Sequence, residues 1–123
     1  MRPHFRFEDL EIWHLAVELA VQFHRVAEQL DQRKFYRYAE QMRAAGLSVS
    51  NNISEGSGST HMREFKQFLN IARRSLFEDA SMLFVFERLA VLKADEATEL
   101  LETCDKLSRK ITCFSRSLGN DNC

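Results

Sequence analysis

Four histidines (His4, His14, His24 and His61) and three cysteines (Cys104, Cys113 and Cys123) are the residues of this 123-residue chain best suited to catalysis or metal binding. Both chemistries need such groups clustered, on a helix at i, i+3 or i, i+4. No histidine here stands four residues from another. Glu11-Ile12-Trp13-His14 has the Glu-x-x-His spacing of di-iron bundles, but those sites need a second copy and two further inward glutamates. The second segment offers only Glu40 and Glu55, so the element reads as a solvated helix face and no metal is expected. His24 falls in an apolar row and reads as a partly buried, hydrogen-bonded histidine. Cys104 and Cys113 are nine residues apart, which at about 100° per residue puts them on opposite sides of a helix, unable to bridge each other. Three cysteines without a pairing pattern fit a reduced, cytoplasmic compartment. Gly56-Ser57-Gly58-Ser59-Thr60 invites a phosphate-loop reading, yet it lacks the lysine and the preceding strand. As an interhelical turn it needs only a glycine to stop one helix and Ser59 or Thr60 to cap the next. Neither catalysis nor a cofactor is expected.

Phosphate recognition is the other chemistry these residue types support. Lys and Arg number 17 against 18 Asp and Glu, a formal net charge of -1, so no global basic field is present. The distribution is uneven. Residues 8–31 carry six acids against one arginine, whereas 32–56 and 61–93 each carry a local +2. Arg37, Arg43, Arg63, Lys66, Arg73 and Arg74 avoid the apolar rows and form the candidate nucleic-acid-binding set, placed on one shared outward face. The competing arrangement pairs them with the acidic first segment. A second polar group, Ser48, Asn52 and Glu55 with Ser75 and Glu78, suits a buried network that fixes helix register. Asp79 stands beside it where the pattern asks for an apolar residue.

Four periodic segments must position these groups. Ile12, Ala16, Leu19, Phe23, Val26 and Leu30 recur at alternating steps of four and three, with Asp9 as the expected N-cap. Phe35, Ala39, Met42, Gly46, Val49 and Ile53 keep the same rhythm. So do Phe65, Leu69, Ala72 and Leu76, then Leu83, Phe86 and Ala90. The last row is Ala97, Leu101, Cys104, Leu107, Ile111, Phe114 and Leu118. Helices are expected over about 9–30, 34–55, 60–92 and 95–118 of a single domain, 1–123. Short breaks between long helices force antiparallel neighbours, giving an all-α, up-down-up-down four-helix bundle. The third helix carries more hydrophobe than one core stripe needs. Phe77, Phe84 and Val91 repeat at seven residues with Val85 and Leu92 beside them, and these are expected to be buried between chains of a homo-oligomer. No apolar run approaches the ~18 residues of a membrane span, so no membrane partner is expected.

Phe7-Glu8-Asp9-Leu10-Glu11-Ile12-Trp13, Gln41-Met42-Arg43-Ala44-Ala45 running through Ser48 to Asn52-Ile53-Ser54-Glu55-Gly56, and Phe65, Phe68-Leu69, Ala72, Ser75 and Glu78 together resemble the 23S rRNA intervening-sequence protein family, also described as four helix bundle proteins. The resemblance covers about residues 5–118. It implies a compact antiparallel bundle assembling into a homopentamer, without an established biochemical activity. Accessory proteins of diversity-generating retroelements are similar in fold and assembly, and those bind nucleic acid and a reverse transcriptase. Ser50 stands where many members have Pro, which removes the usual cause of a kink in the second helix. The expectation is a non-catalytic, oligomeric scaffold associated with RNA or DNA; the alternative is a protein–protein adaptor without nucleic-acid binding.

Overall fold

A computed structural model describes residues 1–119. A 3-10 turn, Arg6–Asp9, precedes α1 (Glu11–Gln32), α2 (Tyr36–Ser57), α3 (Met62–Arg88) and α4 (Ala94–Leu118), with no strand among the described residues. The apolar rows explain the packing. Ile12 through Leu30 of α1, Ala39 through Ile53 of α2, Phe65 through Phe86 of α3 and Ala97 through Ile111 of α4 turn their rows into one continuous core. Each fully buried Leu or Phe there contributes about 1.5–3 kcal/mol. Packing follows chain order, α1 on α2, α2 on α3, α3 on α4, and α4 closes more loosely on α1. The Lys110 ammonium donates to Glu11 across that last seam at 2.7 Å.

The helix ends depart from the sequence expectation at three places. Asp9 does not cap α1: it lies in the 3-10 turn, its carboxylate 2.9 Å from the His4 ring, and Leu10 precedes α1 without a side-chain cap. Glu8 causes the offset by accepting the Phe5 N–H at 2.6 Å, which winds the chain before the helix begins. At the far end α3 stops at Arg88, four residues short. Ala90 adopts φ 59° and the Val91 N–H donates back to the Phe86 carbonyl at 3.0 Å, a left-handed closure that returns Leu92 to the core. Lys34 closes α1 in the same way with φ 66°. Arg33 donates to the Ala90 carbonyl at 2.9 Å, so the two closures are tied together at one end of the bundle.

Gly56 has a different job from the one expected. It is buried inside the last turn of α2, and a Cβ there would lie 2.7 Å from the Phe68 Cβ. Glycine lets α2 and α3 approach closely where they cross. The helix ends at Ser57, and Gly58 follows with an ordinary right-handed φ of -79°. Ser59 accepts the His61 N–H at 3.0 Å within the connection, and α3 starts without a side-chain cap. No helix among the described residues is long and apolar enough to cross a membrane.

Candidate functional site

The surface chemistry concentrates on the two flanks of α3. Toward α4, Phe77 is 60% and Phe84 53% exposed. Together with Ala80, Ser81 and Leu101 they line a mostly apolar groove of about 470 Å³ over Leu76 and Cys104, bordered by Ser108 and by Asp105, which pairs with Arg109. Toward solvent and α2, Ile71, Val85 and Leu89 are exposed. Ile71, Phe77, Phe84 and Val85 of α3, with Met62 at its start and Leu89 just past its end, therefore lie outside the chain's own core. Val91 and Leu92 do not extend this surface. The left-handed turn at Ala90 carries them off the helix, Val91 packs partly against the core, and Leu92 is only 3% exposed.

The six basic residues do not form one face. Arg37 and Arg43 are six positions apart, so they leave α2 about 120° from each other. Arg43 turns to α1 and pairs with Asp31, the seam with the acidic first helix. Arg73 is half-buried, with its guanidinium 5.0 Å from the centre of the Phe77 ring. Arg37, Arg63 and Arg74 are exposed and Lys66 is partly so. None of these four has an ion pair among the described residues.

Ser48, Asn52 and Ser75 meet between α2 and α3. Asn52 Nδ2 donates to the Ser48 carbonyl at 2.7 Å and to its hydroxyl at 3.1 Å. The Ser48 and Ser75 hydroxyls lie 2.8 Å apart, and Ser75 donates to the Ile71 carbonyl at 3.0 Å. With the Ser75 proton committed, the Ser48 hydroxyl donates across the seam. Glu55 and Glu78 are exposed and stand outside these bonds; Glu78 borders the shallow groove beside Ser48. Asp79 does not join either. One helical step separates it from Glu78, so it points into the core, fully buried, with both carboxylate oxygens unbonded among the described residues. Burial, helped by the Glu78 charge, pushes its pKa up to about 8. The Cys104 thiol, across from it on α4, is pushed up to about 12, by burial first and by Asp79 second.

The remaining ionisable groups are spread out. His24 is an exposed residue 3.6 Å from Glu28, at the open edge of the α1–α2 seam, where it borders a shallow groove with Val17, Ala20, Leu47 and Ser50. His14 meets the Glu8 carbonyl at 2.6 Å, and Glu11 is held by Lys110, which keeps its carboxyl below the usual range. Among the described residues no three His, Cys, Asp or Glu side chains converge on a point that could hold a metal.

Sequence reasoning overlooked Arg116, near the end of α4. The signal was available, since antiparallel pairing sets the end of α4 beside the start of α3. A comparison with curated proteins finds no match. The family model described as 23S rRNA-intervening sequence protein matches residues 8–113, from the 3-10 turn to the last turns of α4. Helices α1 to α3, the polar α2–α3 seam and α4 as far as residue 113 lie inside that match, and the chain belongs to the 23S rRNA-intervening sequence protein family.

Proposed function

We propose that the chain is a non-catalytic scaffold that assembles from identical copies and holds a nucleic-acid backbone on the assembled surface. The observation that carries this reading is the pair Phe77 and Phe84, one heptad apart and more than half exposed over an apolar groove. Covering such a pair with a second copy stabilises the assembly by about 1.5–3 kcal/mol per fully buried ring. A copy number of five is the one that the family resemblance implies. Assembly also answers the charge problem of a near-neutral chain, because it repeats Arg37, Arg63, Lys66 and Arg74 around a ring.

Light scattering at micromolar concentration tests the first half. The wild-type chain is expected to be oligomeric and Phe84→Asp monomeric, since a carboxylate in the covered groove would be desolvated without a partner. A monomeric wild type ends the reading. Gel shifts with mixed RNA and DNA at low salt test the second half. Affinity should fall by about 0.9 log units per log unit of salt for each duplex phosphate neutralised. The Arg43–Asp31 pair favours the other reading, a protein–protein adaptor, because it withdraws one cation from phosphate. An oligomer that retards no nucleic acid leaves the adaptor.

A further inference from the structure

We propose that the notch between α3 and α4 beside Arg73 is a phosphate-binding site. Asn70 and Arg73 form one wall, Thr112, Ser115 and Arg116 the other, and the space between them is about 360 Å³. The buried side chains of Leu69 and Ile111 form the floor. Among the described residues no acidic side chain lines it. Arg73 Nε is buried and has no hydrogen-bond partner among the described residues. A charged donor withdrawn from water and left unbonded is costly, so the site asks for an acceptor.

The character of the acceptor follows from the walls. Two guanidinium groups from facing helices select an anion, and their planar forks suit the oxygens of a tetrahedral phosphate. The Phe77 ring, 5.0 Å from the Arg73 guanidinium, holds one fork in place before any ligand arrives. Thr112 is already committed, donating to the Ser108 carbonyl at 3.1 Å. The Ser115 hydroxyl and the Asn70 amide make no hydrogen bond among the described residues and supply neutral donors. Lys66 lies two turns before Arg73 on the same side of α3 and adds positive charge to that flank. A free phosphate, a terminal phosphate monoester and a backbone phosphodiester share this chemistry. Assigning the phosphate to a nucleic-acid strand rests on the reading above; the anion chemistry does not.

Proton–nitrogen NMR of the full chain, read at the arginine Nε–H signals and the backbone amides, separates the two. Inorganic phosphate is titrated against chloride at matched ionic strength, followed by a short single-stranded RNA with and without a 5′-phosphate. Saturable movement of Arg73 Nε–H and the Ser115 amide with phosphate, absent with chloride, is the expected result. Arg116→Gln, an exposed position in the last turn of α4, should keep the fold and weaken phosphate binding about tenfold, equivalent to about 1.4 kcal/mol. Arg73→Gln should weaken it at least as much. Linear movement identical to chloride, or an unchanged affinity in Arg116→Gln, overturns the site. If phosphate saturates the notch and neither RNA binds, the site stands and the nucleic-acid reading falls. If RNA binds while the Arg73 and Arg116 signals stay still, the site falls and that reading survives. A preference for the 5′-phosphorylated RNA assigns the notch to a monoester, and equal binding of both RNAs that moves the notch signals assigns it to the backbone.

Discussion

Replacing Asp79 by Asn should make the bundle more stable at neutral pH, and by an amount that grows with pH. Asp79 is fully exposed to water only in the unfolded chain, where it releases its proton near pH 3.9. In the folded chain the carboxyl is sealed in the core, without a hydrogen bond among the described residues, and holds its proton up to about pH 8. The groups that bear on it are Glu78 on its own helix and Cys104 on α4, and neither supplies positive charge. The native state therefore binds more protons than the unfolded state between these two values, and stability falls as pH rises through the window. At pH 7 the accumulated loss is roughly 4 kcal/mol, about three pH units at 1.36 kcal/mol each. Asn keeps the shape and the polarity but not the titration. Urea midpoints of wild type and Asp79→Asn, taken from pH 4 to pH 8 at one protein concentration, isolate the effect because all other carboxylates cancel in the difference. The two should nearly coincide at pH 4 and separate steadily toward pH 8. A gap that is constant across the range would show that Asp79 finds a partner or water in the folded protein, and the reasoning would fail.

Gly56→Ala should destabilise the bundle by about 1–3 kcal/mol in urea titration, since its Cβ would meet Phe65 and Phe68 and push α2 from α3. Ala90→Gly should stabilise by up to about 1 kcal/mol, because φ 59° strains an alanine and suits a glycine; an unchanged thermal midpoint would contradict the left-handed turn. Ser48→Ala should cost about 0.5–1.5 kcal/mol by removing the hydroxyl that Asn52 and Ser75 both bond, whereas Glu78→Ala, at an exposed position, should stay within about 0.5 kcal/mol. Equal effects of those last two substitutions would place Glu78 in the network after all.

The helices were legible because burial imposes a 4-3 rhythm that few other structures produce. Ile12 to Leu30 reads as one buried row in the sequence and is one in the fold. The endings were harder, since they depend on single backbone choices. Nothing in Leu89-Ala90-Val91-Leu92 differs in composition from a continuing helix. What ends α3 is the gain from burying Leu92, and only the position of the other three helices determines that gain. Gly56 shows the same limit from the other side. Its type announced freedom from a side chain, and a turn and a close helix crossing both use that freedom.

The surface was less legible than the core for a related reason. A row that faces inward is constrained by every neighbour, while a row that faces outward is constrained only by what covers it. Arg43 and Arg73 look alike along the chain, yet one is neutralised by Asp31 across the α1–α2 seam and the other rests on Phe77 in the α3–α4 seam. Which seam a cation enters depends on its angle about the helix axis and on which helix lies on that side. Six residues of spacing, from Arg37 to Arg43, are enough to change it. Net charge averages over those seams and so conceals them. A chain of net charge -1 can hold an acidic flank, a neutralised seam and a pair of facing arginines at once, and each would meet a different ligand.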